Sequence, residues 1–307
     1  LLPSYPFLYK DGLKNVYRLK SIRSEFVSNH HRINTQITQN NDTHTLYLFL
    51  LAFMLLFATH SHANFFANNY AGNTQVTDID RQLIREVSKG QLQNIDILLN
   101  KGASANVTML DRNKRSALIV AASRGDLEMA KILLAAGANI NYVDNAGLTA
   151  LNWSVMRQQG KMAGFLIENQ ANVNLSDTRG ITPLMFAVSS RNINLINKLV
   201  HNGAKLNAQS RTTKMTPLLV ATENTDTQTI SLLLSLGADV NGTNHEGYTP
   251  LMAAVETGQL PIVEYFLKQG AKADLQDASK QTALSLAEQH GHAQITQLIQ
   301  KKGLLMN

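Results

Sequence analysis

No cysteine occurs in the 307 residues. That removes disulfides, thiolate nucleophiles and cysteine-ligated metal sites together, and a zero count suits a reducing or an oxidising compartment equally. The motifs that organise common active sites are missing too. There is no GxSxG elbow, no GxGxxG or GxxxxGK[ST] phosphate loop and no HExxH zinc motif. Carboxylates are scattered rather than paired. Nine histidines are present, but beyond the N-terminal segment the one tight pair is His290 and His292, and a zinc site takes three or four ligands. The sequence therefore reads as non-catalytic, with no cofactor, no metal and no small-molecule substrate.

A run long enough to span a bilayer is also lacking. The longest apolar stretch, residues 46–58, is 13 residues, against about 20 for a transmembrane helix. Its length suits the core of a secretory signal, with Ser61-His62-Ala63 as a small-x-small exit and Asn64 as the mature start. An uncut membrane anchor and a buried helix are the competing readings. Basic residues do not lie directly before the run, and residues 1–53 contain no methionine. Residues 1–45 are accordingly read as a poorly defined extension, either an upstream translated stretch or the product of a non-methionine start. Residues 46–63 are read as signal or anchor and 64–79 as a polar tail. Export to the periplasm or exterior of a bacterial cell follows from this reading, with an inner-membrane anchor holding an exported domain as the alternative.

Net charge is small as well. Charged residues make up 16% of the chain and the balance is +6; half of that excess falls in residues 1–63, where Lys10, Lys14, Arg18, Lys20, Arg23 and Arg32 face Asp11, Glu25 and Asp42. What is left beyond residue 63 lacks the basic footprint of a nucleic-acid binder.

What the chain does have is a period. Leu83, Leu118, Leu151, Leu184, Leu218, Leu251 and Leu284 recur at spacings of 35, 33, 33, 34, 33 and 33. Gly102, Gly137, Gln170, Gly203, Gly237, Gly270 and Gly303 repeat the same spacings. Within one period, Thr182 supplies an N-cap hydroxyl, Pro183 sits at the first helical position, and Leu184, Ala187 and Val188 form an apolar face. A second helix opens near Asn192, lines up Ile193, Ile196, Leu199 and Val200, and stops at Gly203. Helices this short are not stable alone, so each pair must bury its apolar faces against neighbouring pairs.

The signatures Thr182-Pro183-Leu184, Thr216-Pro217-Leu218 and Thr249-Pro250-Leu251, with Gly-Ala-Asp-Val-Asn at residues 237–241, resemble the ankyrin repeat. The resemblance covers residues 80–303 and implies an all-α solenoid of seven helix–turn–helix repeats with projecting β-turn fingers, within a domain at 80–307. Polar residues Arg81, Gln82, Arg85 and Glu86 in the first repeat, and the polar helix at 293–302, are expected caps.

Departures from the family pattern carry expectations. The histidine that usually follows Thr-Pro-Leu is replaced by Ile119, Asn152, Met185, Leu219, Met252 and Ser285, so apolar packing should substitute for its hydrogen bonds. Repeat three, with Asn152, Ser154 and Gln170 in apolar, small and glycine slots, should open first. An extra residue between Ser210 and Met215, with Lys214 in place of glycine, should lengthen the fifth finger. Asn106, Asn141, Asn174, Asn207 and Asn241, which close their repeats, are read as structural. Asn106, Asn152, Asn174 and Asn241 also head Asn-x-Ser/Thr sequons, and a glycan on Asn152 would disrupt the stack.

The resemblance further implies that a protein partner is held by the fingertips and the exposed ends of the first helices. In those positions lie Lys89, Arg112, Arg115, Arg124, Trp153, Met156, Arg157, Arg179, Arg211, Met215 and Tyr248, with the lone Trp153 either a contact anchor or packed between helices. Basic residues gather in repeats one to five, whereas Glu223, Glu246 and Glu256 occupy repeats five and six. The expected function is a monomeric scaffold or adaptor for a protein partner with an acidic surface; the alternative is a secreted effector that occupies a host-cell protein.

Overall fold

A computed structural model describes residues 76–304. The extension at 1–45, the apolar segment at 46–63 and the tail up to residue 75 lie outside the described residues. No helix among the described residues is long and apolar enough to cross a membrane.

The described helices fall into seven successive pairs. The first pair is α1 (Asp78–Lys89) and α2 (Ile95–Asn100), joined through a 3-10 turn at Leu92–Asn94. Then follow α3 (Ala117–Arg124) and α4 (Leu127–Ala135), α5 (Ala150–Met156) and α6 (Gly160–Glu168), α7 (Pro183–Ser189) and α8 (Ile193–His201). The last six are α9 (Pro217–Glu223) and α10 (Thr227–Ser235), α11 (Pro250–Glu256) and α12 (Leu260–Lys268), α13 (Ala283–Gln289) and α14 (Ala293–Leu304). First helices pack on first helices and second on second along the array. This is the expected all-α solenoid.

Local chemistry sets each pair. Ser116, Thr149, Thr182, Thr216, Thr249 and Thr282 each accept the backbone N–H three residues on at 3.2–3.3 Å, which starts the first helix. In α1 the cap is Thr77, whose hydroxyl receives Asp80 N–H, so this helix begins ahead of the expected Asp80 and is longer than its counterparts. Glycine in the left-handed conformation closes most second helices. Where pair three carries Gln170 instead, its φ is +65°, a conformation that costs a residue with a side chain about 1 kcal/mol or more.

Packing then joins the pairs. Leu83, Leu118, Leu151, Leu184, Leu218 and Leu251 are at most 1% exposed and belong to one continuous core. The slots where the family carries histidine are filled as expected by buried Ile119, Met185, Leu219 and Met252. Pair three solves that slot differently. Asn152 is fully buried, yet its amide donates to Leu175 O at 3.1 Å and its carbonyl accepts from the Thr149 hydroxyl. Ser154, also fully buried, donates to Leu151 O at 2.7 Å. The two polar residues held against repeat three are thus hydrogen-bonded, and a buried polar group with its partner costs little. What sets this pair apart is the backbone of Gln170, left-handed at a position where the neighbouring pairs carry glycine.

Two ladders run the length of the array. Asn106 accepts Asn139 N–H at 2.7 Å, Asn141 accepts Asn172 N–H at 2.8 Å, Asn174 accepts Lys205 N–H at 2.9 Å, Asn207 accepts Asp239 N–H at 2.9 Å and Asn241 accepts Lys272 N–H at 2.9 Å. These asparagines are structural, and the bond each makes reaches the next pair rather than its own turn. The second ladder joins the fingers. Asn145 N–H donates to Asn113 O, Thr178 to Ala146 O, Arg211 to Arg179 O, His245 to Thr213 O and Ala278 to Glu246 O, at 2.6–3.0 Å. Exposed loops thereby satisfy backbone groups that no sheet or helix would otherwise pair.

Candidate functional site

Each finger is closed at its base by a backbone bond and braced by a side chain. Asp144 N–H donates to Leu148 O, Asp177 N–H to Ile181 O, Asn244 N–H to Tyr248 O and Asp277 N–H to Gln281 O. One side-chain oxygen of Asp144, Asp177, Asn244 and Asp277 accepts two further N–H groups of its own finger at 2.8–3.0 Å. In the fifth finger the closing bond runs from Ser210 N–H to Met215 O at 3.0 Å, one residue longer, and Lys214 adopts φ +55°. This matches the expectation. The finger leading into α3 is longer still, closing from Met109 N–H to Arg115 O, with an isolated antiparallel bridge between Thr108 and Ser116. The 35-residue spacing from Leu83 to Leu118 held that signal.

Finger bases and first helices meet through side-chain contacts at both ends of the array, and these contacts line one surface. At the N-terminal end this surface is built around Trp153. Its indole N–H donates to Asp144 Oδ2 at 2.9 Å. The guanidinium groups of Arg115 and Arg157 stand over the ring at 5.7 and 5.6 Å from its centroid, contacts worth about 0.5–2 kcal/mol depending on solvent exposure. Arg115 also makes a 2.8 Å ion pair with Asp111. Burial opposes it, but the hydrogen bonds and charge of Arg115 hold the Asp111 carboxyl below the ordinary range. Trp153 is half-buried, so it takes part both in the packing and in the surface. Met156, one turn on, is 40% exposed.

The remaining basic candidates divide by what their side chains hold. Arg124 donates to Val87 O at 2.7 Å and Ser88 O at 2.6 Å, so both ends of its guanidinium close α1. Arg179 pairs with the buried Asp177 at 3.0 Å, and Lys89 with Glu86 at 3.7 Å. Arg112 and Arg211 are exposed on finger tips, where their backbones join the finger ladder. Arg115, Trp153 and Arg157 form one cluster; Lys89 and Arg124 belong to the end of α1 instead.

At the C-terminal end the first helices finish in acidic residues, Glu223 and Glu256 standing in the register of Met156. Half-buried Tyr248, at a finger base, donates its hydroxyl to the carboxylate of Glu256 at the end of α11. Burial, and then that hydrogen bond, push the Tyr248 hydroxyl well above its usual range, so it remains a donor. Burial, and next the charge of Glu256, raise the Glu223 carboxyl. His290 and His292 stack at 5.9 Å, but each turns a ring nitrogen to a backbone carbonyl, Leu286 O and Glu256 O. Among the described residues no group of three or more His, Cys, Asp or Glu side chains is placed to hold a metal ion.

Between the two ends lies an apolar floor of which the sequence reading had named only Met215. Phe186 and Val220 occupy the register of Trp153, four residues after their caps, and Ile181 and Met215 occupy finger bases; all four are half-exposed. Their signal was in the sequence, as apolar residues on the outward side of first helices that already had a buried face.

The sequence profile described as "Ankyrin repeats (3 copies)" matches at residues 83–177, 144–210 and 184–277, together spanning more than half of the 307 residues. The chain belongs to the ankyrin repeat family. Among solved structures it is similar to the ankyrin repeat domain of Bcl-3, described as a unique member of the IkappaB protein family, with a TM-score of 0.64 and 24% identity. The match covers 74% of this chain and 99% of that one. At this identity the likeness speaks for the ankyrin fold alone. No curated protein matches the chain. Ankyrin repeats are in general protein–protein interaction modules, and domains of this kind are typically non-catalytic.

Proposed function

We propose that this protein is a non-catalytic scaffold or adaptor that holds a protein partner in the groove between its fingers and first helices. The observation that carries the reading is the Arg115–Trp153–Arg157 stack. A half-exposed tryptophan with two guanidinium groups over its ring combines residue types that often dominate protein interfaces. With Arg112 on the finger of pair two, and Arg179 and Arg211 on the fingers of pairs four and five, repeats two to five attract acidic groups over a distance set by ionic strength, which speeds encounter with a partner of that charge. The apolar segment at 46–58 supports action outside the cytoplasm, in the periplasm or beyond. A secreted effector that occupies a host-cell protein is the second reading.

The test is affinity capture with the full chain and with an Arg112→Glu, Arg157→Glu, Arg211→Glu variant, chosen because none of these side chains closes a helix or a finger. Loss of the captured protein by the variant, with an unchanged unfolding midpoint, is the expected result. Capture that is identical for both forms would overturn the proposal. Mass measurement of the processed N-terminus decides between a cleaved signal and an anchor.

A further inference from the structure

Resting on that reading, the groove also specifies a kind of ligand. Along it, the side chains at finger bases and on the first helices change character in three blocks. Arg115 and Arg157 lie at the start; Met156, Phe186, Met215 and Val220 give a half-exposed to exposed apolar stretch in the middle; Glu223, Glu256 and the Tyr248 hydroxyl bound to Glu256 lie at the end. In pair four the first helix ends in Ser189 and Ser190, so its end carries no charge, while Arg179, Arg211 and Lys214 are confined to the fingertips and Arg191 to the turn that follows.

We infer that the groove takes an extended segment of a partner protein whose charge is itself divided, with carboxylates at the end lying over pairs two and three, apolar side chains in the middle, and lysine or arginine at the end lying over pairs five and six. A uniformly acidic segment is disfavoured, because it would set its far carboxylates against Glu223 and Glu256, and like charges at close range select against a wrong partner. Length follows from the packing. Neighbouring helices lie about 8–10 Å apart, so the distance from pair two to pair six is roughly 35–40 Å, which an extended chain at about 3.3 Å per residue covers in about 11–12 residues. A helix would need about twice that number to reach.

The experiment uses the full chain and three synthetic 14-residue peptides of identical composition. One carries four acidic, six apolar and four basic residues in blocks, one is its reverse, and one has the same residues interleaved. Trp153, the sole tryptophan, reports binding by its fluorescence. Both blocked peptides should bind at least tenfold more tightly than the interleaved one. Arg157→Glu alone, or Glu223→Lys with Glu256→Lys, should remove that advantage, while unfolding midpoints show that the variants still fold. A photoreactive group at the acidic end should label residues 110–157, and at the basic end residues 223–257. Equal binding of interleaved and blocked peptides, labelling in the opposite sense, or no binding by any peptide overturns the inference. The proposal it rests on fails separately. A captured protein that is lost with Arg157→Glu but indifferent to the glutamate changes sinks the divided-charge ligand and leaves the scaffold standing. One indifferent to both sets sinks the scaffold as well.

Discussion

Pairs two and three and pairs five and six share a backbone plan and use the same positions to opposite ends. In both, the residue before the cap stands beside the far part of a first helix. In the first region that gives Arg115 over Trp153, with Arg157 also within 5.6 Å of the ring centroid; in the second it gives Tyr248 bonded to Glu256, with Glu223 one pair away. The lesson is that the repeat fixes where side chains meet and leaves open what they are. Inward, the two regions share the buried leucine plan and differ at the slot filled by Asn152 in one and Met252 in the other; outward, one is a cationic aromatic platform and the other an anionic one.

The largest expected effect tests the shared half of that comparison. Leu151 and Leu251 are equivalent and at most 1% exposed, so Leu151→Ala and Leu251→Ala should each lower the unfolding free energy by about 2–5 kcal/mol. Denaturant titration checks this, and a variant that unfolds like the parent would mean that its region is not part of one core. Next comes an exchange of solutions. Met252 fills in pair six the slot that Asn152 fills in pair three, yet Asn152→Met should destabilise by about 1–3 kcal/mol, because the Leu175 carbonyl loses its donor. A neutral result in the same titration would show that the carbonyl finds water.

A change of opposite sign is expected at Gln170. Replacing it by glycine at φ +65° removes a steric penalty, and the thermal midpoint should rise by the equivalent of about 0.5–1 kcal/mol. A fall would mean that the side chain makes up for its backbone elsewhere. The smallest effect separates the two charged ends by pH. Glu223 has a folded-state pKa above its ordinary 4.5, so between those values the folded protein holds a proton that the unfolded chain does not. Stability at this site therefore rises as pH falls from neutrality toward 4.5. Asp111, held below 3.8, behaves in the opposite way and loses its contribution only as pH drops below that value. Glu223→Gln should thus be more stable than the parent at pH 7, with the difference closing by about pH 4.5. A gap that is constant with pH would place the origin of the effect outside this carboxylate.

Much of the fold was legible because it is written in short-range chemistry. Threonine caps, prolines at first helical positions and glycines in left-handed turns act within four residues of themselves, and the leucine period sits directly in the sequence. The fifth finger's extra residue was countable; the two extra residues of the finger leading into α3 were countable and passed over. The site was legible only in part. Charge and the lone tryptophan drew attention to helix ends that the structure brings against the fingers, but Arg124 had the same sequence credentials as Arg157, and Phe186 had only its place on the outward side of a first helix.

What the amino-acid order determined by itself was the repeating unit, since caps, turns and apolar periodicity are satisfied inside a window of about 33 residues. What only the tertiary structure decided was how one unit meets the next. Arg124 spends its donors on the end of α1, Asn152 reaches the carbonyl of Leu175, and Arg115 lands on a tryptophan of the following pair. Those partners lie 23–38 residues away along the chain. Whether such groups meet depends on how closely and at what rotation two packed surfaces settle, which is a balance of many weak contacts across an interface rather than the preference of any single residue.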